Sequence, residues 1–331
     1  RKEVFVTYPA VSDEGREYVP SQFISEIDPE LKEEISATDN FQGLTLEIQR
    51  SDLSKSKPDE KTLVKNLFLS RGLSPTSLNN YLRCPWKFFY SNLLRLPQTL
   101  SRNQIYGSAK HLAFQNFFNS IKAGKKTGYD FLYGGFASAL KKYPLNKNDF
   151  DFLADKGKST LKSYYNFYKG GFKPGTINEF NVSGIDFAIG KEKIRLTGKL
   201  DKIEVNPKNR SAIVTDYKTA KPKSRNWILG LTKSPHSGDY FRQLVFYKLL
   251  LDSIPHKKFD MNLGVIDFTE PDDQKRFKKE AFEISSGDVK NLRNIIEKTA
   301  DEILNLKFWN AGCGKKDCEF CALRRLLPGL D

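Results

Sequence analysis

Two stretches of alternating apolar and polar positions, residues 194–205 and 212–219, flank the polar segment Asn206-Pro-Lys-Asn-Arg210. Period-two alternation marks a half-exposed strand, and Asn and Pro supply turn chemistry, so the pattern predicts a β-hairpin. If Val205 pairs near Ala212, Asp201 falls opposite Asp216, because each lies four residues from its end of the turn. Asp216 and Lys218 share one face of their strand, roughly 6–7 Å apart. Two carboxylates and an ammonium then converge, a constellation suited to a divalent metal with a cationic neighbour.

The same reading organises the rest of the chain. Residues 3–7 alternate like a strand, Ser12-Asp-Glu-Gly15 reads as a turn, and Pro20-Ser-Gln-Phe-Ile-Ser-Glu-Ile27 as a short helix. Residues 28–60 are acidic and polar and end in Ser51-Asp-Leu-Ser-Lys-Ser-Lys-Pro-Asp59, a linker by composition, so a domain boundary is expected near residue 60. Leu73-Ser-Pro-Thr-Ser-Leu78 is a helix start, with Ser74 at the N-cap, Pro75 at the first helical position and Leu73/Leu78 placed as a hydrophobic staple. Pro85 opens a second helix directly after Cys84. Residues 105–121, 131–143 and 150–168 repeat aromatic positions at helical spacing, with His111 on the inward stripe three residues before Phe114. The period then changes to two over 176–189, 194–205 and 212–219. It returns to helix over 239–251, to short strands at 262–268 and 279–284, and to a long helix over 288–308. Mixed helices and strands of this order predict an α/β fold with a helical N-terminal region and a short cysteine-rich tail.

Size and charge narrow the partners. A chain of 331 residues can bury a full core, and 39% hydrophobic content is ordinary for a folded protein. No run approaches the ~20 apolar residues of a membrane-spanning helix, so no membrane partner is expected. With no secretory signal before the first strand, the expected location is cytoplasmic. Beginning at Arg1 without an initiator Met, the chain reads as a fragment cut from a longer protein. Its net charge is +14, but residues 1–60 hold seven Lys/Arg against fourteen Asp/Glu, leaving +21 on residues 61–331. That asymmetry favours a polyanion, nucleic acid before anionic membrane.

The four cysteines are Cys84 and the C-x4-C-x2-C set Cys313, Cys318 and Cys321. Without a secretory context, three thiols within nine residues point to metal ligation. A tetrathiolate Zn²⁺ site and a [4Fe–4S] cluster each need four cysteines, and spacing alone leaves both open. Either would tie the start of the basic region to the chain's far end.

Four motifs together resemble the RecB/AddB-type nuclease domains of the PD-(D/E)xK superfamily: Leu73-Ser-Pro-Thr-Ser-Leu with Tyr81-Leu-Arg-Cys-Pro, Gly107-Ser-Ala-Lys-His111, Gly198-Lys-Leu-Asp201 with Asp216-Tyr-Lys218, and Gln243-Leu-Val-Phe-Tyr247. The resemblance covers roughly residues 70–325. It implies a restriction-endonuclease-like core, a central mixed β-sheet flanked by helices. Asp201, Asp216, Lys218, Gln243 and Tyr247 would be catalytic. His111, Asp201, Asp216 and the Tyr217 carbonyl would hold Mg²⁺ or Mn²⁺. Glu179 resembles a glutamate common at the start of the preceding strand and is assigned a supporting or structural role. The cysteines look like the family's iron–sulfur staple, which favours the cluster over zinc. Residues 1–27 look like the tail of a UvrD-like superfamily 1 helicase, so the division is 1–60, helicase tail and linker, and 61–331, nuclease domain.

The expectation is therefore a metal-dependent deoxyribonuclease, an exonuclease on single-stranded DNA ends. It would work with the helicase portion of the same polypeptide, and with a second helicase or nuclease subunit, in DNA repair or recombination. The alternative from another class is a catalytically silent nuclease fold that binds DNA and stabilises a helicase complex. Phosphate contacts are expected from Lys122/Lys125/Lys126, Lys221/Lys223/Arg225, Lys275/Arg276/Lys278/Lys279 and Arg324/Arg325. Trp86, Tyr90 and Trp227 are candidates for base stacking, with core packing the ordinary use of each.

Overall fold

Glycine at position 72 is where the fold first becomes dependent on a particular side chain, or the lack of one. Gly72 has φ +66°, and a Cβ there would fall 1.9 Å from the Arg195 carbonyl oxygen. This close approach lets Leu73 bridge to the neighbouring strand, its N–H donating to the Arg195 carbonyl (2.8 Å) and its own carbonyl accepting from Thr197 N–H (2.9 Å). Helix α2 (Pro75–Arg83) starts immediately afterwards. Ser74 Oγ accepts from Ser77 N–H at 3.2 Å and Ser77 Oγ accepts from Ser74 N–H at 2.7 Å, a capping box with Pro75 in the first turn. Leu73 and Leu78 are both fully buried, as the staple requires.

The computed structural model describes Ile24 and residues 27–32, 60–125, 127–255 and 259–325. The chain divides into two units, Arg1–Pro58 and Asp59–Asp331. In the first, a 3-10 turn, Pro29–Leu31, is capped by the Asp28 carboxylate. The expected strand at 3–7 lies outside the described residues, as does the expected helix at 20–27 apart from Ile24 and Ile27.

The second unit opens with helix α1 (Glu60–Arg71), which buries Val64 and Phe68 and which the linker-like composition upstream concealed. After α2 come the short α3 (Pro85–Phe88) and a π-helical turn, Phe89–Leu94. Three helices follow: α4 (Arg102–Lys122), α5 (Tyr129–Leu140) and α6 (Lys147–Tyr168). The strands are β1 (Thr176–Ile189), β2 (Glu192–Val205), β3 (Ser211–Lys218), β4 (Asp260–Phe268) and β5 (Lys278–Glu283). Between β3 and β4 lie α7 (Arg225–Leu229) and α8 (Asp239–Asp252), and α9 (Ser286–Leu304) and α10 (Glu319–Arg325) end the described chain.

These strands form one mixed sheet in sequence order. β1, β2 and β3 are antiparallel neighbours, β3 and β4 are parallel, and β5 returns antiparallel to β4. The hairpin register is the one the turn predicts, with Val205 opposite Ala212 and pairing continuing to Lys202 opposite Thr215. The parallel pair needs a crossover, and α8 supplies it.

Two apolar cores flank the sheet. The larger packs α1, α2, α3, α8 and α9 with Leu196, Leu200, Val214 and Ile266 from the strands. The other belongs to α4, α5 and α6, and Tyr217 is the strand residue inserted into it, its ring stacked 4.9 Å from Phe114. Because strand residues alternate faces, Asp216 and Lys218 look away from this aromatic core while Tyr217 looks into it. Trp86 and Tyr90 are buried in a cluster with Phe89, Phe308 and Trp309, so both are core residues rather than base-stacking surfaces. Trp227 is half-buried against Tyr240. The architecture is an α/β fold with a five-stranded mixed sheet flanked by helices, and a cysteine cluster near the C-terminus.

Candidate active site

The β2–β3 hairpin carries Asp201 and Asp216 to one mouth of the sheet. Asp201 Oδ2 accepts from the Tyr217 backbone N–H at 2.8 Å, and Oδ1 lies 3.3 Å from His111 Nδ1. Asp216 is nearly fully buried. Its Oδ1 accepts from Gln243 Nε2 (2.7 Å) and Tyr247 hydroxyl (3.1 Å). Lys218 Nζ lies 2.6 Å from Asp216 Oδ2 and donates to Gln243 Oε1 at 2.7 Å. The contact with Oδ2 is an ion pair by distance, but its angles leave that oxygen without a hydrogen bond.

Gln243 is the hinge of this arrangement. Its amide donates to Asp216 and accepts from Lys218, so it joins the carboxylate to the ammonium. Tyr247, one turn later on α8, supports the same carboxylate. α8 can lie this close because Gly198 has no side chain; a Cβ there would meet Leu250 Cδ1 at 2.5 Å.

Burial raises the pKa of Asp216, and the Asp201 charge adds to the rise against the opposing pull of Lys218. Burial lowers Lys218, but the ion pair with Asp216 outweighs it and holds the ammonium above its ordinary value. His111 likewise loses to burial and gains more from Asp201, for a net upward shift. Lys218 is thus a persistent cation.

Glu179 completes a second grouping. It sits in β1 with φ +53°, a left-handed kink rarely adopted by a non-glycine residue within a strand. Neighbouring β1–β2 pairs, Asn178 with Lys202 and Phe180 with Leu200, place it beside Asp201. His111, Glu179 and Asp201 each offer a ligand atom, and these atoms lie within 4.8 Å of one another. Two carboxylates and an imidazole form an oxygen–nitrogen donor set that suits Mg²⁺ or Mn²⁺. Lys199 Nζ, 2.5 Å from Glu179 Oε2, balances part of the charge. Asp216 stands outside this trio, held by Lys218, Gln243 and Tyr247. Tyr217 serves the site through its backbone N–H on Asp201, while its ring packs into the α4–α6 core. A cavity of about 500 Å³ is lined by His111 and Asp201 of the trio together with Asp216, Lys218, Gln243 and Tyr247, and its wall includes Ser74, Pro75 and Thr76 at the start of α2.

The sequence left Glu179 in a supporting role, because a backbone kink that turns a strand residue toward a neighbouring carboxylate has no periodic signature. It also missed Lys110, fully buried beside His111 on α4. Lys110 Nζ donates to Glu270 Oε1 (2.6 Å) and the Thr269 carbonyl (3.0 Å), and Tyr106 hydroxyl donates to the same Glu270 oxygen (2.8 Å). An Ala-Lys-His run in an aromatic helix signals an unusual buried cation only once its partner, 160 residues away, is placed.

The cysteine cluster is the second candidate centre. Cys84 ends α2, and its Sγ lies 3.6 Å from Cys318 Sγ and 3.7 Å from Cys321 Sγ; Cys321 and Cys313 are 3.7 Å apart. All four sulfurs lie within 4.8 Å of one another. Burial pushes Cys84 up. At Cys318 burial also raises the thiol, but hydrogen bonds from the Cys321 backbone and the neighbouring thiols win and bring it to about 7.

Several basic residues expected on DNA are already paired: Lys221 with Asp273, Arg225 and Lys278 with Glu280, Arg276 with Asp272. Lys279 is committed to the buried Asp267 at 3.0 Å. Lys126 lies outside the described residues.

Residues 72–326 match the family described as the PD-(D/E)XK nuclease superfamily. No curated protein matches the chain. Among solved structures, the crystal structure of SSO0001 is 16% identical, covering 81% of this chain and 95% of that one at a TM-score of 0.35. A protein from Eubacterium rectale, provisionally named an exonuclease, is 12% identical and covers 82% of this chain and 94% of its own at a TM-score of 0.47. The family match spans more than three-quarters of the sequence, and the chain belongs to the PD-(D/E)XK nuclease superfamily.

Proposed function

We propose that this member of the superfamily is a metal-dependent deoxyribonuclease that hydrolyses phosphodiester bonds at single-stranded DNA ends. The observation that carries the reading is two complementary groupings that meet at one cavity, lined by His111 and Asp201 of the first and by Asp216, Lys218, Gln243 and Tyr247 of the second. One is the His111/Glu179/Asp201 donor trio, and the other is the Asp216–Lys218 pair fixed by Gln243 and Tyr247. Asp216 and the Tyr217 carbonyl would complete the metal's ligands. Bound Mg²⁺ or Mn²⁺ supplies Lewis-acid stabilisation of the scissile phosphate and a more acidic water.

The chain's own groups do the rest. Lys218 stays protonated and offers N–H donors to the attacking water or to a phosphate oxygen as charge develops there. Gln243 fixes its direction, and Tyr247 keeps Asp216 from turning out of the cavity. Burial of Asp216 and its partners makes these contacts worth more than they would be in bulk solvent. Phosphate contacts from the +21 region position the strand without reading its sequence.

The motif set further supports a RecB/AddB-type member acting in DNA repair or recombination in the cytoplasm. Residues 1–60 would be the tail of a superfamily 1 helicase with its linker, and a further helicase or nuclease subunit would be a partner. Incubation with end-labelled single-stranded DNA and Mn²⁺ tests the central claim: strand shortening is expected, and DNA binding without any cleavage overturns it in favour of a silent, DNA-holding module.

A further inference from the structure

The family resemblance implies an iron–sulfur cluster at the four cysteines, and their chemistry suits one, since all four are free thiols. Their spacing does not. Four thiolates around one tetrahedral ion, each about 2.3 Å from the metal, stand about 3.8 Å apart along every edge. The sulfurs here are 3.6 to 3.7 Å apart along three edges, and no pair exceeds 4.8 Å. A cubane interposes four irons and four sulfides, so its thiolates must stand much farther apart on all six edges at once.

The surroundings oppose that expansion on the inner side. Cys84 is buried at the junction of α2 and α3, and its backbone N–H is tied to the Asn80 carbonyl at 2.9 Å. Behind it Trp86 is almost wholly buried, donates Nε1–H to the Ala311 carbonyl at 2.9 Å, and packs on Phe89, Phe308 and Trp309. A Cβ on Gly312 would touch Cys321 Sγ at 3.7 Å, so the tail already lies against the quartet. Opening the thiols would separate the tail from the aromatic cluster it seals.

We propose that Cys84, Cys313, Cys318 and Cys321 hold a single Zn²⁺ ion as a closed, redox-inert tetrathiolate site. The ion clasps the end of α2 to the C-terminal tail. Zinc binding to four thiols releases protons and involves no electron transfer, so no oxidant or reductant is required. The inference concerns the centre's metal and stands apart from the nuclease reading.

Metal and sulfide analysis of the purified chain, prepared with and without oxygen, decides the matter. One zinc per chain, no acid-labile sulfide and a colourless protein are expected in both preparations. Four irons with sulfide and a brown protein in the oxygen-free preparation overturn the proposal. If the chain is recovered metal-free, zinc is compared with iron plus sulfide for its effect on thermal unfolding. Stabilisation saturating at one zinc supports the site, and stabilisation by iron and sulfide alone rejects it. Cys318→Ser should reduce zinc retention by at least about tenfold, the scale on which disturbing a metal's surroundings is felt. Retention of a full equivalent in that variant counts against tetrathiolate ligation.

Discussion

The carboxylate site and the cysteine centre are both assembled from distant parts of the chain, yet they are held together in opposite ways. Around Asp201 and Asp216 every charged group has a partner supplied by the protein: Tyr217 N–H and His111 on one carboxylate, Lys218, Gln243 and Tyr247 on the other. The cysteine sulfurs mainly face one another. Four thiols in contact have little mutual attraction, and ionising them adds repulsion. The first site is therefore organised by the fold before any metal arrives. The second would need an ion as part of the fold.

The largest effect expected from this contrast is at the cysteines. Structural zinc binds with about 10–16 kcal/mol in small metal-dependent folds, and on the zinc proposal a share of that energy would hold α10 against α3. Cys84→Ser should lower the thermal midpoint and open residues 313–325 to protease. Chelation of the wild type should do the same. Equal stability with and without chelator would show that the tail is held without an ion.

At the carboxylate site the order reverses, with chemistry lost and stability kept. Asp216→Ala and Lys218→Ala should each reduce cleavage by about 10³-fold or more, because a preorganised charge contact disappears where charge develops. Circular dichroism and metal content at the cysteines should be unchanged. Cleavage within a few-fold of wild type in either variant would remove that residue from the mechanism.

How much of this was legible in the sequence follows the same division. The hairpin could be read because alternation, a polar turn and the Val205–Ala212 pairing are local, and they fix the carboxylates without further help. Ser74 and Pro75 announced α2 for the same reason. Glu179 could not be read as a site residue, since its placement depends on a left-handed kink within β1 and on the β1–β2 register that sets it beside Asp201. Helix α1 was hidden because its apolar residues acquire meaning only against β2 and α9, and nothing local marked the π-helical turn after α3. The cysteines suggested a metal site by type and spacing, but the sulfur separations that bear on its size are a property of the fold.

Lys110 shows at smaller scale how the fold preorganises the first site. Tyr106 and Lys110, one turn apart on α4, both reach Glu270 at the end of β4. Consecutive helix residues differ by about 100° in direction, so fixing Lys110 also fixes where His111 points. Lys110→Met should weaken Mn²⁺ binding by about 10–100-fold, the usual cost of losing a residue that orients a ligand. Lys156→Met, which touches Glu270 only at 3.9 Å and from α6, should not. Burial lowers the Lys110 pKa from 10.5 to about 8 despite Glu270. Between about pH 8 and 10.5 the unfolded chain therefore binds more protons at this residue than the folded one, and stability relative to Lys110→Met should rise with pH. Urea unfolding of the pair at about pH 7.5 and about pH 9.5 measures it, where a flat or falling difference contradicts the shift.

The smallest effect is expected at Gly198, and it asks how closely α8 must approach the hairpin. An added Cβ would press on Leu250 Cδ1, the end of a side chain that can turn aside, so Gly198→Ala should cost about 1 kcal/mol of stability, at the low end of overpacking. Tyr247 lies one turn before Leu250 and 3.8 Å from the same Cβ, so any outward shift of α8 lengthens its contact with Asp216. The turnover number should fall several-fold while Mn²⁺ affinity holds, because His111, Glu179 and Asp201 take their partners from α4 and the strands rather than from α8. A parallel loss of metal affinity would mean that the two groupings move as one body, and that the share of Asp216 in holding the metal depends on Tyr247.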